Sequence, residues 1–250
     1  MSNITVQDLC KTYPGQPPVK ALDHIDLDVP PGEFVALLGP SGCGKSTLLN
    51  IIASFEQPTS GVLTVGGRTI DTPGPDRGVV FQEAALFPWL TVWENIVFGP
   101  KAQGLPPADY ESRAEEMLTI MGLKDFRNHL PIQLSGGMRQ RVGIARVLTL
   151  GSQILLMDEP FGALDAQTRL TMQELLLSVW DRLKPTIIFV THDIDEALFL
   201  ADKIYVMSAR PGRMESVIET QLPRPRAIEM TATPEFNEMK LQILKTIRSH

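Results

Sequence analysis

Between Gly39 and Thr47 the chain reads GPSGCGKST, which fits the pattern G-x-x-x-x-G-K-[ST] at Gly39, Gly44, Lys45 and Ser46. Glycines at this spacing let the backbone curl so that successive N–H groups point inward and hold phosphate oxygens. Pro40, Ser41, Gly42, Cys43 and Thr47 complete the loop. An apolar run, FVALLG, precedes it and reads as a buried parallel strand. STLLNIIASF follows, with apolar residues at helical spacing, and the start of that helix adds its positive end to the cradle. Lys45 is expected to reach the β- and γ-phosphates of a nucleotide, and Ser46 to offer its hydroxyl oxygen to Mg²⁺. A strand before and a helix after the loop are what this chemistry needs. The loop alone does not choose between ATPase, kinase and GTPase.

Two further stretches narrow the chemistry. ILLMDEP (Ile154–Pro160) is an apolar strand ending in two carboxylates. Asp158 suits a Mg²⁺ held through water. Glu159 can polarise a water for attack on the γ-phosphate, which favours hydrolysis over transfer to a hydroxyl acceptor. LSGGMRQR (Leu134–Arg141) puts Ser135, Gly136 and Gly137 at a helix start, a second place for phosphate. One γ-phosphate does not need two cradles in one chain. Two copies arranged head to tail would use both.

The elements that position these residues follow from patterning. The chain has 250 residues, 43% of them hydrophobic, enough for one domain with an inserted subdomain. ITVQDLCKTY and HIDLDV alternate apolar and polar residues as half-buried strands do, and GVLTVGGRTI reads as a hairpin turning at Gly66-Gly67. From Trp89 to Leu150 the pattern is helical, with ADYESRAEEMLTIMGL and GMRQRVGIARVLTL as amphipathic helices. Two more apolar strands, ILLMD and TIIFVTH, flank a helix near Leu170–Leu183, and DIDEALFLADKIYVM gives another helix and strand. This alternation predicts an α/β fold with a parallel sheet core, an antiparallel β subdomain and an inserted α-helical subdomain. The expected divisions are 1–88 for the β subdomain and first part of the core, 89–157 for the helical subdomain, 158–222 for the second part of the core and 223–250 for a tail. In the tail, Thr233 is a candidate N-cap and Pro234 a first helical residue, with Phe236, Met239, Ile243 and Ile247 on one face. Such a helix is expected to dock on its own domain.

The net charge of −6, with no basic run, argues against nucleic acid as a partner. No apolar run approaches a membrane span, and the N-terminal residues have no signal-peptide pattern, so a cytosolic location is expected. Neither Cys10 nor Cys43 has a C-x-x-C neighbour, which argues against a disulfide framework or zinc site. Cys43, at a helix start inside the loop, is expected to carry a lowered thiol pKa and to be alkylated unless MgATP protects it. Cys10 reads as an inert strand residue.

Over nearly its whole length the sequence resembles the ATP-binding cassette (ABC) family, a branch of the P-loop NTPases. The resemblance rests on Gly39–Thr47 as Walker A, Leu134–Gln140 as the signature, and Ile154–Asp158 as Walker B with Glu159 after it. It implies an ATPase that binds ATP and Mg²⁺. Gln82 in VVFQ is similar to the Q-loop glutamine, which senses Mg²⁺ and a membrane partner. Asp165 in GALD is similar to the D-loop aspartate, although Ser is commoner where Gly162 stands. His192 in VTHD is similar to the switch histidine that contacts the γ-phosphate, and Tyr13 to the aromatic residue that stacks on adenine. A lone Tyr in a strand or a lone His after one is more often structural; their order and spacing here favour the family roles. The resemblance therefore implies Glu159, His192 and Lys45 as catalytic residues, Ser46, Gln82 and Asp158 at the metal, Asp165 among the nucleotide-binding residues, and Ser135 and Gly137 at the nucleotide of a second copy.

The finer resemblance is to the nitrate/sulfonate/taurine/bicarbonate importer group, through LFPWLTVWENIVFG, SGGMRQRVGIAR, EPFGALDAQTR and VTHDIDEALFLADKIYVMSARPGR. It implies a cassette dimer at the cytoplasmic face of the bacterial inner membrane, docked to integral membrane permease subunits near Gln82–Ile96 and served indirectly by a solute-binding protein. Phe87, Trp89, Leu90 and Trp93 are candidate anchors for the permease, against the plainer reading that they pack the helical subdomain. A soluble, non-transport ABC ATPase acting on nucleic acid or protein complexes is the other reading. The chain lacks the long coiled coil, the second cassette and the basic arm that go with it.

Overall fold

A computed structural model describes residues 3–248. In chain order the elements are β1 (Ile4–Tyr13), β2 (Val19–Val29), β3 (Phe34–Leu38), α1 (Lys45–Ile52), β4 (Ser60–Val65), β5 (Arg68–Thr69) and β6 (Arg77–Val80). Then come α2 (Val92–Ala102), α3 (Pro107–Ile120), α4 (Gly136–Leu150), β7 (Ile154–Asp158), α5 (Ala166–Leu183), β8 (Thr186–Thr191) and α6 (Ile194–Leu200). β9 (Lys203–Met207), β10 (Met214–Glu219) and α7 (Pro234–Arg248) close the chain.

Two sheets form. The antiparallel sheet runs β2-β1-β4-β5, with the β4–β5 hairpin turning at Gly66-Gly67. The core sheet runs β10-β9-β3-β8-β7-β6, parallel except for β10 at its edge. Its central strands are apolar on both faces because both are covered. Phe34, Ala36 and Leu38 of β3, with Ile187 and Phe189 of β8, face the core shared with α2 to α7. Val35 and Leu37, with Ile188 and Val190, face the core shared with α1 and the antiparallel sheet. Strict alternation between two apolar cores explains why these strands read as continuous apolar runs rather than patterned ones.

The helical insertion ends earlier than the sequence suggests. β7 pairs with β6 and β8 inside the core sheet, so residues 152–157 belong to the core and the boundary lies at Gly151, the left-handed cap of α4, rather than at 157. Its first helix, α2, falls inside the helical stretch expected from Trp89 onward, and TVWE gives it a reciprocal cap: Thr91 accepts from the Glu94 N–H, and Glu94 accepts from the Thr91 N–H.

The tail docks on its own domain, as expected. Thr233 accepts from the Phe236 N–H at 3.3 Å, Phe236 and Ile243 are buried, and Met239 and Ile247 pack on the same core. PRPR does more than end the pattern. The Arg226 guanidinium donates to the buried carbonyls of Leu198, Phe199 and Ala201 at the end of α6, and Arg224 pairs with Asp202. Burial lowers the Arg226 pKa to about 10. Truncating Phe236 to Ala is expected to cost about 3–5 kcal/mol, the range for losing a buried Phe, read as a lowered urea midpoint. A loss below about 1 kcal/mol would mean that α7 is not part of this core.

Candidate active site

The parallel register brings the candidate residues to one edge. Leu38 stands opposite Thr191, and Asp158 opposite Val190, so Gly39, His192 and Glu159 all follow directly at the carboxyl ends of adjacent strands. From β3 the chain turns through Gly39–Gly44 into α1. Gly44 has φ +98°, and a Cβ there would stand 2.6 Å from Leu22 Cδ2, so only glycine can pass the chain into the helix at this point. A cavity of about 510 Å³ opens over the loop, lined by Tyr13, Ser41, Gly42, Lys45, Ser46 and Glu159 among others.

Within this edge the acid–base groups already touch. Ser46 Oγ donates to Asp158 Oδ1 at 3.0 Å. His192 Nδ1 lies 3.2 Å from Glu159 Oε2. Glu159 adopts φ +44°, a left-handed conformation that costs a non-glycine residue about 1–3 kcal/mol and is held by its N–H donating to Val190 O at 3.0 Å. This turn swings the Glu159 side chain away from the strand axis and over the cavity. Lys45 is buried and turned inward, its ammonium donating to Gly39 O at 2.8 Å and Pro40 O at 3.0 Å. Two of its three N–H donors are thereby engaged on the loop.

Cys43 departs from expectation. It is fully buried, and burial pushes its thiol pKa up despite the nearby Lys45 ammonium. Desolvation outweighs the helix start and the cation, so the thiol is shielded rather than reactive.

Other expected residues lie apart from the cavity. Gln82 lines a second groove of about 520 Å³ with Glu83, Leu86, Arg139, Pro160 and Leu164. Its amide rests against Gly162, where a Cβ would stand 3.2 Å from Nε2 and 3.8 Å from Glu159 Oε2. Glycine at this position leaves room for both side chains. Ser135 caps α4, accepting from the Met138 N–H at 3.2 Å, and does not line the cavity over the Gly39–Thr47 loop of its own chain. Gly137 is tightly packed, since a Cβ would meet Thr168 Cγ2 at 2.7 Å. Asp165 caps α5, accepting from the Thr168 N–H and hydroxyl at 2.9 and 2.7 Å, and these bonds lower its pKa.

Two positioning residues escaped the sequence reading. The buried Gln140 amide donates to Phe81 O at 2.9 Å. The Arg146 guanidinium donates to Ala85 O and Ala84 O at 2.9 and 3.3 Å. Both stand on α4 and tie the signature helix to the segment that carries Gln82. Gln140 lay inside the quoted signature, but its three-dimensional partner is distant in sequence.

The aromatic segment divides. Trp89 is 72% exposed and tilts against Phe87, which in turn packs on the exposed Phe98. Trp93 instead packs on the domain core, with the Arg127 guanidinium 3.6 Å over its ring. The anchor reading does not extend to Trp93. Asn95 is buried and holds the segment by bonding to Phe87 N–H, Phe87 O and Leu90 O.

A family model described as ABC transporter matches residues 22–162, more than half of the chain. This chain belongs to the ABC transporter ATP-binding family. It is 48% identical to the taurine import ATP-binding protein TauB of Rhizobium johnstonii over 236 residues, 92% of this chain and 90% of that protein. It is 43% identical to the nitrate import ATP-binding protein NrtD of Synechocystis over 253 residues, 98% and 95% of the two chains. Its fold is similar to the ATP-binding cassette MJ0796, solved as a dimer in a post-hydrolysis state with ADP and Pi, at TM-score 0.75 and 34% identity, covering 88% of this chain and 100% of that one. The chain is thus an ATP-binding, ATP-hydrolysing cassette, and the parallel core with its antiparallel and helical subdomains is the fold its motifs implied.

Burial raises the Asp158 pKa above its ordinary 3.8, against the opposing Ser46 hydrogen bond. The folded carboxyl therefore gives up its proton less readily than the unfolded one. Its ionisation costs stability, fully above the raised folded pKa and not at all below the ordinary value. Asp158→Asn is expected to raise the Tm of the nucleotide-free cassette at neutral pH, by an amount that shrinks on acidification toward 3.8, while ATP hydrolysis falls. An unchanged or lowered Tm at neutral pH would show that the carboxylate is not under this strain.

Proposed function

We propose that this cassette is the ATP-hydrolysing subunit of a bacterial ABC importer for a small anion or sulfonate-type solute, such as nitrate, taurine, an aliphatic sulfonate or bicarbonate. The observation that carries the reading is similarity to a taurine and a nitrate import subunit over 92% and 98% of the chain. No helix of the described residues is long and apolar enough to cross a membrane. The proposal places the solute path in permease subunits and the cassette at the cytoplasmic face of the membrane.

ATP is placed with adenine on Tyr13 and its phosphates in Gly39–Thr47. Lys45 leaves the Gly39 and Pro40 carbonyls to pair with the phosphates. Ser46, Gln82 and, through water, Asp158 would hold Mg²⁺. The oxygen-only donor set fits a hard cation, and the Ser46–Asp158 pair already sits together beside the loop. When bound, Mg²⁺ neutralises charge on the transferred phosphoryl group. Glu159 takes the proton of the attacking water, and His192 fixes the orientation of that carboxylate. Ser135, Gly137 and Asp165 serve the nucleotide of a second copy, since Ser135 lies outside the cavity of its own chain. Closing the pair moves the Gln82 segment, and the exposed Trp89, packed on the half-buried Phe87 beside it, engages the permease. A solute-binding protein acts on the permease, and no nucleic acid takes part.

Glu159→Gln is expected to lower kcat by about 10²–10⁴-fold while ATP still binds. Tagged Glu159→Gln cassette with MgATP, recovered in mild detergent, is expected to bring a multi-spanning protein in equal amount. Adding Phe87→Ala should remove that protein, and Phe87→Ala alone should keep its fold and its own ATPase. Recovery of soluble partners only would contradict the importer reading, and loss of intrinsic ATPase in Phe87→Ala would return Phe87 to the core of the helical subdomain.

A further inference from the structure

The turn Ser208–Arg213, reading SARPGR, joins β9 to β10 beside the phosphate loop. Its position follows from the sheet, because β9 is the neighbour of β3, and β3 leads into that loop. It is also fastened. The Gly212 N–H donates to Ala21 O, and Gly212 O accepts from the Asp23 N–H, both at 2.9 Å. A Cβ on Gly212 would fall 2.0 Å from Cys43 O, so the turn presses directly on the back of the loop. Arg213 Nε donates to Asp23 Oδ2 at 2.7 Å, and Lys20 pairs with the other Asp23 oxygen. Those two cations hold the Asp23 carboxyl below its usual range. Asp23 also lies close to Cys10 and His24, a donor set of the kind that binds metal. With both of its oxygens facing cations, it serves the turn instead.

Within this fastened turn Arg210 is uncommitted. It is exposed, and among the described residues it makes no hydrogen bond or ion pair. Its Nη2 lies 3.5 Å, and its Nε 3.9 Å, from where a Cβ on Gly42 would stand, so the guanidinium covers the tip of the loop. It lines the nucleotide cavity with Lys20, Lys45 and Ser46. Of the three cations there, Lys45 is turned onto loop carbonyls and Lys20 is paired with Asp23. Arg210 alone is free to meet an incoming anion, and a guanidinium fork matches two phosphate oxygens at once.

We infer that Arg210 is a nucleotide-binding residue, its guanidinium contacting the polyphosphate from over Gly42 while the Asp23–Arg213 pair and Gly212 hold its turn in place. The inference rests on the nucleotide reading of the phosphate loop.

The test is equilibrium binding of MgADP and of adenosine to wild-type, Arg210→Ala and Arg210→Lys cassettes, with MgATP turnover measured alongside. Loss of a charge-assisted phosphate contact is expected to weaken ADP binding roughly 10-fold or more in Arg210→Ala. Arg210→Lys should fall between, adenosine affinity should stay unchanged, and KM for MgATP should rise with kcat little altered. Wild-type ADP affinity in Arg210→Ala would overturn the inference and leave the phosphate-loop reading intact. An equal loss for adenosine would overturn it too, by making the side chain a wall of the pocket rather than a phosphate ligand. Failure of the wild-type cassette to bind ADP would overturn the nucleotide reading, and the inference with it.

Discussion

Everything at this site depends on the in-register pairing of β3, β8 and β7. The phosphate loop, the Asp158–Glu159 pair and His192 each leave the carboxyl end of one of these strands, and the pairing sets them side by side. A slip of one residue would turn every side chain to the opposite face. Here both faces are buried, so a slip would also exchange Phe34 and Phe189 with smaller neighbours across two differently shaped cores. The packing that stabilises the sheet thereby fixes the geometry of the catalytic edge. That edge carries its own local strain, in the left-handed backbone of Glu159 and the desolvated Asp158 carboxyl. Such local costs are what a site must carry if its charges are to be poised before a ligand arrives.

A second constraint is how the helical subdomain is joined to the Gln82 segment. α4 begins at the signature serine, and its Gln140 and Arg146 grip the backbone around Gln82. Gly162 lets the Gln82 amide approach the Glu159 turn. The groove beside Gln82, the aromatic residues Phe87 and Trp89 and the Glu159 carboxylate are therefore linked through a short path of hydrogen bonds and close packing. A movement of the signature helix has a direct mechanical route to the groove beside Gln82.

Much of this was legible in the sequence, for identifiable reasons. Gly39–Thr47 and Ile154–Glu159 are local: their chemistry and their strand context lie in one stretch, so motif and periodicity agree. The buried strands were found because both faces are apolar. The Thr91–Glu94 capping box is equally local, and it sets the start of α2 within the helical stretch that the pattern begins at Trp89. Contacts between distant segments were not legible. Nothing near Gln140 announces Phe81, and nothing near Arg226 announces the end of α6. For Cys43 the sequence showed a helix start and a lysine, two features that lower a thiol pKa, but not the complete burial that outweighs them. The helical boundary at Gly151 was blurred because β7 follows α4 after only a short turn.

The central claim is that the hydrolytic site is completed by the signature serine of a second copy. Sedimentation of the Glu159→Gln cassette with MgATP, against the same chain also carrying Ser135→Arg, tests it most directly. The account predicts a nucleotide-dependent dimer for the first and a monomer that still binds ATP for the second. A Glu159→Gln chain that binds MgATP yet stays monomeric, or a Ser135→Arg chain that dimerises as well as its parent, would contradict it.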